Sequence, residues 1–467
     1  GSTGYIGRRL KEKLLEDKYI QLSLIVRNKK SISNDIKNKI EIIEGDTFNK
    51  ESLKEALKDI DVAYYLIHSL SNDNYKDLDK ISAQNFLDIA NLCGVKKIIY
   101  LGGLGVKDKN TSEHLLSRIE TGEILSSNKN VQTIWFRAGV IIGSGSASFE
   151  IIRNLTEKLP IMTTPKWVNT LAQPICIKDV LTYLKEAIKL ETKEDLIVDI
   201  GSKALTYKDM MMGTANALGL KRVIIPLPFM SINISSYWLN LFTPVPFSVA
   251  KALIEGLKSE VVIQNDNAKK YFPNITPISY EDSVKNAIKE IEENQVISRW
   301  NDNANGVWEK NSSNEISQAL YIDRKEFDIS NIEASKVYQS FTSIGGENGW
   351  FTFDFLWEIR GFIDKMIGGV GLKRGRRSQC DLRISDCLDF WKVVDLKENE
   401  RLLLYAQMKL PGEAWLEFKI KDNKLIQSAY FYPKGVFGRL YWYSLVPLHY
   451  FIFKNMIKSI IKKASSF

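Results

Sequence analysis

The stretch that decides the fold of the first half of this chain is Gly1-Ser2-Thr3-Gly4-Tyr5-Ile6-Gly7, which runs directly into Arg8-Arg9-Leu10-Lys11-Glu12-Lys13-Leu14-Leu15. It has the spacing G-x-x-G-x-x-G and is followed by a helical pattern. Glycines allow backbone N–H groups to approach a phosphate closely, and the N-terminus of a helix carries partial positive charge. The stretch therefore predicts a phosphate-binding loop at the start of a helix.

The segments after this loop alternate between strands and helices. The predicted strands are short and apolar: Gln21–Val26, Ile40–Glu44, Asp61–Ile67, Lys97–Leu101, Gln132–Phe136 and Leu196–Ile200. Strict alternation is typical of an α/β fold with a doubly wound parallel sheet, the Rossmann architecture. In that architecture the glycine loop follows a first, central strand. Because the sequence starts at the first glycine, we expect the natural protein to carry this strand before Gly1.

A basic cluster follows the first of these strands, with Arg27 at its end and Lys29 and Lys30 after it. An acid at this position of a dinucleotide-binding sheet holds the ribose 2′-hydroxyl of NAD, whereas a basic residue accommodates the 2′-phosphate of NADP. Arg27 therefore favours NADP over NAD. The alternative is an exposed basic loop that binds no ligand.

The composition limits other classes of function. The net charge is +8, from 64 Lys and Arg against 56 Asp and Glu, which is mildly basic over 467 residues. That balance does not favour a nucleic acid as partner. The four cysteines form no C-x-x-C pair and there are three histidines, so no metal site is predicted. Scattered free thiols are typical of a reducing compartment, and we expect a cytoplasmic protein.

The glycine loop, Arg27, Gly45-Asp46 and the segment Arg137–Gly145 together resemble the short-chain dehydrogenase/reductase superfamily, most closely its atypical, NmrA-like and epimerase-like branch. The resemblance implies an NAD(P)-binding domain in which residues Gly1 to Gly7 hold the cofactor. It further implies that Asp46 contacts the adenine and that Leu66 to Ser69, including His68, line the cofactor.

The catalytic pair of the superfamily is absent from its usual helix. Classical members carry Tyr-x-x-x-Lys there, in which the Lys lowers the pKa of the Tyr and the Tyr relays a proton. In this chain the helix, Ser112–Glu123, contains neither residue. His68, His114 and Arg118 are the candidates to replace the pair, with Ser117 beside them. For His68 the alternative is a hydrogen-bonded structural histidine at the end of a strand.

A charge-free run, Val223–Ala250, interrupts the pattern of the first domain and contains four prolines. It is interpreted as an apolar lid over a substrate pocket. Peripheral contact with the inner membrane is the second interpretation, and a spanning helix is disfavoured by the prolines. We therefore expect an apolar small molecule or a lipid as substrate or partner.

The chain is predicted to contain two domains joined by a linker. Residues 1–293 form the dinucleotide-binding domain, residues 294–318 are polar and form the linker, and residues 319–467 form an α+β domain that ends in a helix from about Pro447 to Lys463. The second domain resembles a bacterial domain of unknown function of the DUF2867 type. Its order of elements resembles a helix-grip fold of the START or polyketide-cyclase type, which implies a hydrophobic cavity.

Three functions follow from these patterns. The first is an NADP-dependent oxidoreductase of the atypical class, acting on an apolar substrate. The second is a non-catalytic NADP-binding sensor or assembly factor, which the absence of the Tyr-x-x-x-Lys pair favours. The third is a lipid-binding protein that associates with a membrane.

Overall fold

The computed structural model describes residues 1–29, 32, 40–68, 75–108, 111–192, 194–227, 254–256, 259–293, 295–300, 319–372, 375–379 and 381–467. The predictions for Lys30, for Ser69, for positions 228–250 of the apolar run and for most of the linker lie outside these residues. The chain divides into two compact units, Gly1–Asn303 and Ala304–Phe467.

Strands and helices alternate along the first unit. Its strands are β1 (Ser23–Val26), β2 (Glu41–Glu44), β3 (Val62–Tyr65), β4 (Lys97–Gly103), β5 (Gln132–Ala138), β6 (Ile141–Ile142), β7 (Ile161–Pro165), β8 (Leu171–Ala172), β9 (Ile175–Cys176), β10 (Leu196–Ile200), β11 (Leu205–Thr206) and β12 (Val223–Leu227). Its helices are α1 (Tyr5–Leu15), α2 (Lys50–Leu57), α3 (Tyr75–Leu92), α4 (Glu113–Leu125), α5 (Ala147–Lys158), α6 (Ile177–Glu186), α7 (Tyr207–Ala217), α8 (Asn267–Tyr271) and α9 (Tyr280–Glu292).

The main sheet of the first unit is parallel and is covered on both faces. Its strands lie in the order β10-β5-β4-β3, and β1 pairs in parallel with β2. Side chains of β4 alternate between two cores. Ile99 packs with Leu10 of α1 on one face, whereas Ile98 packs with Phe86 of α3 on the other. Burial on both faces explains the continuous apolar strands of the sequence. The predicted Rossmann-like parallel sheet is confirmed.

A smaller layer of short strands follows the main sheet along the chain. The pairs β6-β9, β7-β12 and β8-β11 form separate two-stranded sheets, the last of them antiparallel. Phe149 of α5, Met210 of α7 and Val284 of α9 are buried together in one cluster beside them. This layer therefore has a hydrophobic core of its own.

The second unit is built around an antiparallel sheet. Its elements are β13 (Tyr321–Asp328), α10 (Ala334–Thr342), α11 (Asp354–Met366), β14 (Cys387–Leu388), β15 (Trp391–Lys397), β16 (Arg401–Ala406), β17 (Gly412–Lys421), β18 (Lys424–Pro433) and α12 (Gly435–Ala464). The strand order is β13-β18-β17-β16-β15-β14, with antiparallel pairing throughout.

Helices α10 and α12 fill one face of this sheet. Leu416 and Phe418 of β17 pack with Phe341 of α10 and with Met456 of α12, and all four side chains are fully buried. The rings of Phe341 and Phe418 are stacked with centroids 5.8 Å apart. The other face carries Glu417, which lines an open polar groove of about 480 Å³. The helix-grip fold and its hydrophobic cavity stay predictions.

Two helices of the second unit differ from the sequence prediction. Helix α12 begins at Gly435 rather than near Pro447, so the predicted start is wrong. Before the proline, Trp442 is buried and stacks on Phe431 and Tyr321 at 5.6 and 5.4 Å. This packing holds the chain helical through a residue that usually ends a helix. Helix α11 is not among the elements that the sequence analysis predicts for this domain.

Candidate functional site

The glycine loop packs against the end of β3. The amide of Gly4 donates to the carbonyl oxygen of Gly1 at 3.0 Å, which closes a tight turn before α1 begins at Tyr5. A Cβ atom at Gly1 would overlap the backbone of Leu66, and one at Gly7 would overlap the carbonyl group of Gly1. Both positions therefore require glycine because the backbone segments approach one another too closely for any side chain.

The N-terminus of α1 offers hydrogen-bond donors for an anion. Gly4 at the N-cap of α1 has no side chain to accept hydrogen bonds from the first N–H groups of the helix. Arg8 donates from Nε to the carbonyl oxygen of Thr3 at 2.8 Å. Its Nη2 is buried and has no hydrogen-bond partner among the described residues. A diphosphate would supply acceptors for both sets of donors, so the residues of this loop fit a dinucleotide.

Three side chains of the loop are engaged within the protein. The hydroxyl of Ser2 donates to the carbonyl oxygen of Ile25 at 2.7 Å, which fixes the loop to β1. Tyr5 and Ile6 pack against the core of the first unit, and the hydroxyl of Tyr5 lies against Gly143. Burial raises the pKa of Tyr5. A nucleotide would therefore meet these positions through their backbone, and their role in binding it stays a prediction.

Arg27 and Asp46 follow β1 and β2 at the same edge of the sheet. Arg27 is exposed. Oδ1 of Asp46 accepts a hydrogen bond from the N–H of Phe48 at 3.0 Å and orders the turn before α2. The contacts of both side chains with a nucleotide are untested by this geometry.

Two of the three histidines meet just beyond β3, two residues after Leu66. Nδ1 of His68 is 2.9 Å from Oδ2 of Asp79, and Nε2 of His68 is 3.1 Å from Nδ1 of His114. The hydroxyl of Ser117 donates to the same oxygen of Asp79 at 3.0 Å. The structure thus joins His68, Asp79 of α3 and His114 of α4 in one hydrogen-bonded series, called the histidine row below.

The hydrogen bonds of the histidine row define its protonation. With Asp79 ionised, His68 donates from Nδ1 and accepts at Nε2 from Nδ1–H of His114. Nε2 of His114 then carries a lone pair, and no described residue hydrogen-bonds to it. Burial lowers the pKa of His68, although the bond to Asp79 opposes this. Burial, followed by His68 and Arg118, lowers the pKa of His114 well below its usual value. Both imidazoles are therefore neutral at neutral pH.

Arg118 lies one helical turn after His114 on α4. It donates from Nη2 to the carbonyl oxygen of Leu101, and its guanidinium lies over the ring of Tyr100 at 5.6 Å. The spacing of His114 and Arg118 equals that of the Tyr and Lys in the superfamily's catalytic pair, so the two share one face of the helix. The helix thus carries an imidazole followed by a permanent positive charge.

Asp79 is the member of the site that the sequence analysis missed. It lies on the buried face of α3 with Ser82 and Phe86 and is 3% exposed. A carboxylate rarely occupies such a position unless it is paired. The acid at a core position of an amphipathic helix was the available signal. Its partner could not be identified, because His68 lies on a different element.

In the described parts of the chain, no cluster of three or more His, Cys, Asp or Glu side chains has the geometry to bind a metal ion. No helix in those parts has the length and hydropathy that crossing a membrane requires.

We expect none of the three histidines to titrate near the usual value of about 6.5. Burial lowers the pKa of His449 to about 4, and the lowered values of His68 and His114 reflect burial with Asp79 and Arg118 as the facing charges. With three histidines, ¹⁵N-histidine NMR resolves each imidazole, and single His→Gln variants assign them. As the pH is lowered, all three imidazole rings should still be neutral at pH ~6.5, where an ordinary histidine is half protonated.

The same shifts make stability depend on pH. Below about pH 6.5 the unfolded chain binds protons that the folded histidine row excludes, so the free energy of unfolding falls as pH falls. His114→Gln should reduce this loss of stability. Titration of His68 or His114 at or above the usual value would contradict a buried neutral row.

Comparison with known families assigns both parts of the chain. Residues 1–134 match a family described as NAD(P)H-binding, and residues 316–456 match a family described as a protein of unknown function, DUF2867. The auxiliary protein GraX of Staphylococcus aureus is 34% identical over 122 residues, which are 25% of this chain and 38% of that protein. The chain thus matches less than half the length of this curated relative.

Solved structures share the fold of the first unit. A nucleoside-diphosphate-sugar epimerase from Staphylococcus aureus is 17% identical, with a TM-score of 0.50 over 61% of this chain and 98% of its own. The triphenylmethane reductase of Citrobacter sp. is 20% identical, with a TM-score of 0.51 over 62% and 98%. The same reductase complexed with NADP(H) gives a TM-score of 0.50. The chain combines an NAD(P)-binding domain, whose structural neighbours include an epimerase and a reductase, with a C-terminal DUF2867 domain.

Proposed function

We propose that the first unit is an NADP(H)-dependent oxidoreductase that acts on an apolar small molecule and moves the proton through the histidine row. One observation carries the proposal. The row of Asp79, His68 and His114 begins two residues beyond Leu66, and the backbone of Leu66 is the surface on which Gly1 packs. The proton-transferring groups and the nucleotide loop therefore occupy the same carboxyl edge of the parallel sheet, where such sheets bind their ligands.

Each member of the site has a distinct role in this proposal. Bound NADP(H) supplies the chemistry of hydride transfer. His114 accepts the hydroxyl proton of an alcohol substrate at Nε2, or returns it to the oxygen of a reduced carbonyl. His68 orients His114, and the buried carboxylate of Asp79 stabilises the positive charge that the row then carries. Arg118 provides a fixed positive charge one turn away, as the Lys does in the superfamily's pair.

The choice of NADP and of an apolar substrate rests on further observations. Arg27 directly follows β1, at the position where a 2′-phosphate requires a cation. The Citrobacter triphenylmethane reductase, whose structure was solved in complex with NADP(H), is described in connection with the bioremediation of triphenylmethane dyes. The charge-free run Val223–Ala250 agrees in composition with an apolar pocket wall. A helix-grip fold for the second unit is part of the same proposal, supported by α12 packed along an antiparallel sheet.

A second candidate is a non-catalytic, NADP(H)-binding auxiliary protein. It is favoured by the name of the relative GraX, an auxiliary protein, and by the missing Tyr-x-x-x-Lys pair. The two candidates share the nucleotide site and differ in turnover. Tight binding of NADPH without oxidation of it by any acceptor would support the second.

The preference for NADPH depends on Arg27. We expect the protein to bind NADPH more tightly than NADH in fluorescence titrations, and Arg27→Glu to reverse this order because a carboxylate repels the 2′-phosphate and accepts from a 2′-hydroxyl. The loss for NADPH should be roughly 10- to 100-fold. Lys18→Glu is the matched control, since it makes the same change of charge beyond the other end of α1. Equal effects of both variants would contradict a specific phosphate contact.

The proton-transfer role is tested by kinetics. His114→Gln should lower kcat for NADPH oxidation with apolar carbonyl compounds by roughly 100-fold, the usual contribution of a positioned acid or base. Affinity for NADPH should change little, because the nucleotide loop is untouched. The same substitution at His449 is the control and should leave kcat unchanged.

Two results separate the parts of this account. If His114→Gln retains full kcat, the histidine row does not move the proton and is a structural hydrogen-bond network. If His68→Gln lowers kcat and shifts the pH profile while NADPH affinity stays constant, His68 positions His114 as proposed.

A further inference from the structure

Helices α11 and α12 of the second unit expose an unusually large apolar surface. On α11 the exposed side chains include Phe355, Ile359, Phe362, Ile363 and Met366, which recur at helical spacing on one face. The same helix buries Asp364 and Lys365, whereas Asp354 and Glu358 are exposed. An amphipathic helix normally turns its apolar face inward, but this apolar face of α11 is exposed. An exposed apolar face of this kind marks an interaction surface.

The first half of α12 continues this surface. Its exposed residues are also large and apolar: Val436, Phe437, Leu440, Tyr443, Val446, Leu448, Tyr450 and Phe451. Phe437 is 81% exposed and Leu440 is 61% exposed. Removing these large apolar side chains from water would give the largest gain in free energy per residue.

Both helices are anchored to the loop between β16 and β17. Asp364 of α11 accepts a hydrogen bond from the N–H of Lys409 at 2.7 Å. At the start of α12, the N–H of Lys434 donates to the carbonyl oxygen of Pro411 at 2.9 Å. A Cβ atom at Gly438 would overlap that same carbonyl group. The two apolar faces thus flank one short segment, and we call them together the α11/α12 surface.

The charges on α12 favour an anionic partner. Helix α12 contains no acidic residue, and its exposed basic residues include Arg439, Lys454 and Lys458. Tyr450 and Lys454 lie one turn apart, with the Lys Nζ 5.3 Å from the ring centroid. The apolar stripe therefore runs directly into a row of lysines. Helices that lie in the interface of a bilayer have aromatic and aliphatic side chains on one face and Lys or Arg beside it.

We propose that the α11/α12 surface binds the face of an anionic lipid bilayer. Phe, Leu and Tyr side chains enter the boundary between headgroups and acyl chains, and the lysines contact anionic headgroups. A second copy of the chain fits less well, because it would add the same excess of basic side chains and would not neutralise those of α12. The surface differs from the run Val223–Ala250 that the sequence analysis associated with a membrane.

Vesicle sedimentation with the full chain tests this proposal. The protein should sediment with vesicles of equal parts phosphatidylcholine and phosphatidylglycerol, and much less with phosphatidylcholine alone or at high salt. The double variant Phe437→Glu, Leu440→Glu should weaken binding by at least roughly tenfold, because two carboxylates would enter the interface. The matched control is Tyr19→Glu, Leu92→Glu in the first unit, whose side chains are 99% and 65% exposed. It should bind as the unchanged protein does.

Circular dichroism of both variants establishes that each remains folded. Absence of binding by the unchanged protein, or equal binding by the two double variants, would overturn the proposal. Sedimentation velocity, which measures the oligomeric state, can also contradict the proposal. If the unchanged protein is a dimer and Phe437→Glu, Leu440→Glu makes it a monomer, a second copy covers the surface and the lipid proposal fails.

Discussion

The close backbone contact between the glycine loop and the end of β3 is the constraint on which the first unit's site depends. Gly1 lies against Leu66 and Gly7 lies against Gly1, with no space for a Cβ atom at either glycine. This contact sets the start of α1 at the carboxyl edge of the sheet. It also places the segment after Leu66 beside the loop, and that segment supplies His68. The nucleotide cradle and the proton-transferring groups are therefore positioned by one packing requirement.

The histidine row shows how a buried charge can organise a site without the usual catalytic pair. The carboxylate of Asp79 accepts hydrogen bonds from both His68 and Ser117. These bonds are what make its burial tolerable, since an unpaired buried carboxylate is strongly destabilising. They also fix the orientation of His68, which in turn fixes that of His114. The same hydrogen bonds thus stabilise the buried carboxylate of Asp79 and orient His114 for proton transfer.

The sequence predicts the architecture better than the details of the site. The spacing of Gly1, Gly4 and Gly7 and the alternation of apolar strands are local signals, and they are sufficient for the Rossmann-like sheet. His68 and His114 were identified one by one, whereas their contact depends on how α4 packs beside α3 and β4. Asp79 was missed because pairing across elements leaves no mark on spacing along the chain. Tertiary packing around Trp442 likewise determines where α12 begins.

The exposed apolar face of helix α11 marks the limit of sequence patterns in the second unit. Periodicity shows that a helix has an apolar face, but it does not show which way that face points. In α11 the decisive feature is Asp364, which accepts hydrogen bonds from the N–H groups of Gly371 and Lys409 at 2.8 and 2.7 Å. These bonds hold Asp364 inward, while Phe355 and Phe362 are exposed.

A crystal structure of the protein with NADP bound would test the central claim most directly. We expect the diphosphate at the N-terminus of α1 beside Arg8, the 2′-phosphate beside Arg27 and the nicotinamide next to the imidazole of His114. A nicotinamide that lies away from the histidine row, or a nucleotide bound elsewhere on the chain, would contradict it.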